Sequence, residues 1–186
     1  VLRDRMEWDM KTPHIVEDVR ATQSQRMKYI TPNMYMKLSA TLVLASPSIV
    51  HQWTEEFRKT DLRIYTITKR KDIDINPNDF DVVIVCSTMF NIFTTRFIFA
   101  AWKRFIFDEP TTCSVANMNP TNAGFTWFVS ATPENIYRNH RHKKGYMRHL
   151  IDSYFDFHLR ELITVKNSEE FVRQSFAMPQ TTERYY

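Results

Sequence analysis

The sequence predicts an α/β domain built on a mostly parallel sheet. Three observations carry that reading. Short apolar runs recur along the chain, at Thr41–Ala45, Leu62–Ile67, Val82–Val85, Arg104–Phe107, Phe125–Val129 and Leu162–Val165. Several of them are continuously apolar, as strands buried on both faces must be. Polar stretches of helical character separate them, which is the pattern of strand–helix–strand units.

The segments follow in order. Residues 1–40 read as a helical N-terminal segment, because Ile15, Val16 and Val19 fall at helical spacing after Pro13, and Thr31-Pro32-Asn33 marks a break. Residues 41–186 then form the α/β domain. Ser48–Lys59 is expected to be a helix, with Ser48 as N-cap and Trp53 and Phe57 at i,i+4. Met147–Leu159 reads as a further helix. Ser168–Ser175 reads as a short one that stops before Pro179.

Composition bounds the function. At 186 residues, 43% of them hydrophobic, the chain has enough material for a real core. A net charge of +4 permits contact with nucleic acid without requiring it. Cys86 and Cys113 form no metal-ligand spacing and read as reduced thiols in an intracellular setting. No apolar stretch approaches the roughly 20 residues of a membrane span, and the first residues lack the pattern of a signal peptide. No membrane partner is expected. Glycine is scarce: only Gly124 and Gly145 occur, against an average share of about 7%. A phosphate-cradling loop needs several glycines so that backbone N–H groups can wrap the anion. With Val1 as the first residue, that shortage leads to the expectation of a piece of a longer protein, a processed or degenerate protein being the alternative.

Asp108 and Glu109 end the run Lys103–Phe107. In a parallel sheet, ligands collect at the carboxyl ends of strands. One acid there can serve Mg²⁺ and the next can orient or deprotonate an attacking water. The plainer reading is a solvated turn beginning Asp-Glu-Pro. Ser130-Ala131-Thr132-Pro133 also follows an apolar run. Its hydroxyls can bond nearby carboxylates, and Thr132 with Pro133 can also open a helix. These readings are compatible.

Four segments together resemble motifs Ia, Ib, II and III of superfamily 2 helicases, in the Swi/Snf-type form of large DNA viruses. They are Leu42–Ser48 with Gln52-Trp53, Asp81–Thr88, Phe107–Pro110, and Val129–Pro133. Val165–Pro179 is similar to the closing segment of the first motor lobe. The resemblance spans roughly residues 40–186. It implies a RecA-like lobe of a DNA-dependent ATPase that uses ATP and Mg²⁺ to translocate on or remodel duplex DNA without sequence specificity. It implies a second helicase lobe as partner, viral transcription or virion proteins as further ones, and a place in a virion, the host cytoplasm or the nucleus. By the same resemblance Asp108 binds Mg²⁺, Glu109 handles the water, and Ser130 and Thr132 couple nucleotide state to DNA grip. Ser46, Pro47, Ser48, Ser87 and Thr88 lie along the nucleic-acid path, where short hydroxyls and backbone N–H groups suit phosphates. The sequence departs from the family in two places. No phosphate loop is present, Lys11-Thr12 being a Lys-Thr pair without a nearby glycine. Motif II continues as Pro110-Thr111, where the family has a small residue and histidine. A chain with these departures is expected to be inactive alone. The alternative function is a non-catalytic, degenerate lobe that docks DNA or protein.

Three other constellations have two readings each. Arg138–Lys144, with Arg148 and His149, is either a phosphate grip or a solvated loop. His140 and His142 lack the partners of a zinc site. The aromatics Phe90, Phe93, Phe97, Phe99 and Trp102 could stack bases, but they interleave with aliphatics and read as core. Trp8 and Trp53 read as packing residues, and Lys69-Arg70-Lys71 as a solvated turn.

Overall fold

The computed structural model describes residues 14–22, 25–33, 35–138, 146–148, 164–165, 167–168 and 170. The chain divides into two compact units, Val1–Asp152 and Ser153–Tyr186. In the first, β1 (His14–Thr22) and β2 (Gln25–Asn33) form an antiparallel hairpin. The main sheet contains β3 (Met36–Ala45), β4 (Ile64–Ile67), β5 (Val82–Cys86), β6 (Ala100–Asp108), β7 (Asn122–Ala123) and β8 (Thr126–Val129). Helices α1 (Val50–Arg58) and α2 (Phe90–Thr94) lie between these strands, and α3 (Pro133–Arg138) follows β8.

The strand order is β4-β5-β3-β6, with β7 and β8 both along the outer side of β6, and every pairing in this sheet is parallel. The expected α/β architecture, a parallel sheet with flanking helices, is therefore present. β7 and β8 behave as one interrupted strand: Gly124 N–H donates to Trp102 O, and Phe105 N–H donates to Phe125 O across the break.

Alternation along the strands explains the two layers. Val43 and Ala45 of β3, Val82, Ile84 and Cys86 of β5, and Ile106 of β6 share one face. That face packs against Val50, Trp53 and Phe57 of α1. On β6 the residue two beyond Ile106 is Asp108, so strand parity turns its side chain toward the α1 side. The core also holds an aromatic group. Phe90 of α2 meets Phe105 at 6.0 Å between ring centroids, and Phe93 meets Trp102 at 5.9 Å. Phe90, Phe93, Trp102, Phe105 and Phe107 are all buried, so the aromatics of this region are core and not a base-stacking platform. Phe99, at 73% exposure, is the exception.

Several expectations are corrected. Residues 14–33 are a hairpin and not helical. Their β-branched content (Ile15, Val16, Val19, Thr22, Ile30, Thr31) suits strands, and the helical spacing of three apolar residues was coincidental. Pro32 is tolerated because a two-stranded ribbon has outer edges that need no N–H. The expected boundary at residues 40 and 41 falls inside β3. The polar residues Lys37 and Ser39 disguise the start of that strand, although Leu38 and Ala40 are fully buried. Helix α1 starts at Val50, with Ile49 in the N-cap position and no side-chain cap, so Ser48 does not cap it. Thr164 and Val165 lie outside any strand. Most of Met147–Leu159 and Ser168–Ser175, and the basic run after Arg138, lie outside the described residues.

Candidate functional site

Because β3, β5, β6 and β8 are parallel, their carboxyl ends line up on one rim. Ala45 pairs with Cys86 and Leu44 with Phe107, while Asp108 pairs with Val129. The segments that follow these strands are Ser46–Ser48, Ser87-Thr88, Glu109 and Ser130–Thr132, so one rim gathers all the site residues expected from sequence. The strand order also reverses here. From β3 the chain leaves through α1 toward β4, and from β6 it leaves toward β8 on the opposite side. The crevice between β3 and β6 is thus the topological switch point, the usual ligand position in an open α/β sheet. Asp108 stands at its lip.

Asp108 is 8% exposed. The indole Nε1–H of Trp53 donates to its Oδ2 at 2.7 Å. No other side chain among the described residues bonds the carboxylate, and the Glu109 backbone N–H also reaches it. Burial pushes the Asp108 carboxyl above its ordinary value, and the neighbouring charge of Glu109 adds to this. The Trp53 indole N–H and the Glu109 backbone N–H pull the other way.

Glu109 is held differently. Its φ of 48° lies in the left-handed region, which costs a non-glycine residue about 1 kcal/mol or more. The turn is held by three backbone bonds. Glu109 N–H donates to Val129 O at 2.8 Å, and Thr112 and Cys113 N–H donate to Glu109 O at 3.0 and 2.7 Å. The left-handed turn sends the carboxylate across to the end of β8. There Oε1 accepts from Ala131 N–H at 2.9 Å, and Oε2 accepts from the Ser130 hydroxyl at 3.0 Å and from the Thr111 hydroxyl at 3.4 Å. The acidic pair is therefore split. Asp108 faces α1, and Glu109 braces the neighbouring strand end.

Ser130 has a second task, since its Oγ accepts from Thr132 N–H at 3.1 Å. The Thr132 hydroxyl is exposed and makes none of these contacts. Thr132 instead precedes α3, where Pro133 takes the first helical position and Asn135 N–H donates to Thr132 O at 2.9 Å. Ser46 and Ser48 are joined by a 2.8 Å hydroxyl–hydroxyl bond, and Ser46 O accepts from Ile49 and Val50 N–H. Pro47, Ser48 and Thr88 are exposed, and Ser46 and Ser87 are half-buried. Ser87 N–H donates to Ala45 O at 2.9 Å, which ties the two turns together. Thr88 Oγ1 lies 3.3 Å from Cys86 Sγ.

Two contributors were not expected from sequence. Trp53 was read as a packing residue, and its bond to Asp108 joins positions 55 apart. The only available signal was the shared parity of Ile106 and Asp108 on the helix-covered face. The Ala131 N–H carries no side-chain signal at all.

No protein family and no curated protein matches the chain. Among solved structures it is similar to the SWI2/SNF2 ATPase core of Sulfolobus solfataricus in complex with double-stranded DNA. The identity is 21% and the TM-score 0.43, over 52% of this chain and 22% of that one. The chain thus spans less than a quarter of that neighbour's length. Among the described residues no helix is long and apolar enough to cross a membrane.

Proposed function

We propose that these residues form the carboxylate half of a nucleotide-hydrolysing motor lobe acting on duplex DNA. The single observation that carries this reading is the bridge from Glu109 to Ser130 and Ala131. A strained acidic residue after one strand is clamped by a hydroxyl and a backbone N–H after the next. A solvated turn has no need of such a link. A device that transmits the state of an acid at one strand end to the next segment does need one.

The donor set suits a divalent cation of the magnesium type. Such an ion keeps most of its waters and takes one or two carboxylates plus phosphate oxygens. Asp108 offers one carboxylate at the strand end, and no cluster of three ligating side chains is assembled among the described residues. When bound, the ion would neutralise phosphate charge as it develops. Asp108 holds the ion's position, and Glu109 orients the water once its bridge to Ser130 loosens. Ser130 and Ala131 report that change to the start of α3. Ser46–Ser48 and Ser87-Thr88 present short hydroxyls on the same rim, suited to backbone phosphates of DNA. The phosphate loop is not among these residues, since two glycines cannot build one. The chain alone should therefore show no robust Mg²⁺-dependent turnover.

A second reading is favoured by one feature. Both oxygens of Glu109 are already engaged, so it serves here as a brace and not as a poised base. A non-catalytic lobe that docks DNA or protein would keep that arrangement permanently. One experiment separates the two. In a longer protein that contains these residues and hydrolyses ATP, Glu109→Gln should abolish turnover and leave ATP binding intact. Unchanged turnover would remove Glu109 from the chemistry and leave the docking reading.

A further inference from the structure

The geometry points to Trp53 as a positioning residue that anchors Oδ2 of Asp108 and so fixes the orientation in which the carboxylate meets a divalent cation in the β3–β6 crevice. This inference rests on reading Asp108 as the cation-binding acid.

Four observations support it. The indole N–H is the only side-chain donor to Asp108 among the described residues, at 2.7 Å. An indole nitrogen donates and cannot accept, so Trp53 fixes one carboxylate oxygen without competing for the cation. The ring is itself fixed: it stacks on Phe57 of α1 at 5.6 Å and 27°, and it packs against the apolar face that contains Ile106. Finally, Asp108 follows Ile106 by two residues, so strand parity alone brings the carboxyl under α1. A carboxylate with one oxygen anchored loses its freedom to swing, and outer partners of this kind commonly change metal affinity by 10- to 100-fold. A residue that only packed could be replaced by phenylalanine or by an isosteric ring without consequence for Asp108.

The test uses Mn²⁺ alone as probe and the indole N–H signals of the whole chain. There are four tryptophans, Trp8, Trp53, Trp102 and Trp127. Paramagnetic Mn²⁺ broadens nearby signals, so the Trp53 indole peak should broaden first as Mn²⁺ is added. That selectivity should vanish in Asp108→Asn. Replacing Trp53 with β-(3-benzothienyl)alanine keeps the ring's shape and removes the N–H. Affinity for Mn²⁺, followed by water-proton relaxation, should then fall about tenfold. Trp53→Phe should give the same fall, with the Trp102 indole peak reporting that the core is intact. Should Trp53→Phe fail to fold, the isosteric variant still decides the matter. Unchanged Mn²⁺ affinity in the benzothienyl variant would overturn the role of Trp53 and leave Asp108 as a cation acid. Mn²⁺ broadening that ignores Asp108→Asn, or no selective broadening at all, would overturn the cation reading of Asp108 and this inference with it.

Discussion

The bridge between Glu109 and Ser130 can be measured without any ligand. The perturbation is a double-mutant cycle of Glu109→Ala, Ser130→Ala and both together. Alanine keeps a Cβ at position 109, so the cost of its left-handed backbone stays constant and only the side chain is removed. The Ser130 hydroxyl meets Oε2 at 3.0 Å. A hydrogen bond to a charged group contributes about 1.5–3 kcal/mol when buried. Both residues here are half-buried, which brings the expected coupling to about 1 kcal/mol. Each single variant loses this bond. Adding their costs therefore counts it twice, and the double variant should be milder than the sum by that amount. The singles also lose separate contacts. Glu109→Ala frees Ala131 N–H, and Ser130→Ala removes the acceptor for Thr132 N–H. These should not enter the coupling. Urea unfolding at neutral pH gives the four stabilities. In thermal unfolding, 1 kcal/mol corresponds to roughly 2–4 °C at this size. Additivity within about 0.3 kcal/mol would refute the bridge as an energetic link.

Other outcomes follow from the same geometry. Phe105→Ala should cost about 3–5 kcal/mol, read by urea unfolding, because the ring is fully buried between Phe90 and Phe107. Asp108→Asn should raise the unfolding midpoint at pH 7. It removes a charge that burial disfavours, while its amide oxygen can still accept from Trp53; a lowered midpoint would contradict this. Backbone N–H groups of Lys69 and Thr68 hold the Asp72 carboxyl below the usual carboxylate range. The sign follows: its contribution is fully present above about pH 4, the unfolded value, and fades as pH drops through the depressed folded one. Asp72→Asn should thus weaken the protein at pH 7 and converge with the parent in strong acid, checked by denaturation at a series of pH values.

The sheet was legible in the sequence because burial on both faces forces continuous apolar runs such as Val82–Val85. What could not be read was structure set by pairing. β3 extends back to Met36 because neighbouring strands give its backbone partners, and not because Lys37 or Ser39 favours a strand. The hairpin at residues 14–33 was missed for a related reason: apolar residues that fit helical spacing also fit strands, and the partner decides. The rim residues were found from small polar and acidic residues at strand ends. Their division of labour was hidden. That Asp108 turns to Trp53 while Glu109 turns to Ser130 depends on strand parity and on one left-handed residue, and neither leaves a mark on spacing.

The central position of β3 shapes how the chain folds. Val43 lies between Ile84 on one side and Ile106 on the other. Among the described strands of this sheet the first to be synthesised is therefore the middle one, and both of its edges pair with strands that come much later in the chain. Until β5 and β6 arrive, β3 is an apolar strand with two open edges, the form most exposed to wrong pairing. Helix α1, next in sequence, can cover one face meanwhile, but not the edges. The order of synthesis thus makes the run Thr41–Ala45 the segment most in need of protection during folding.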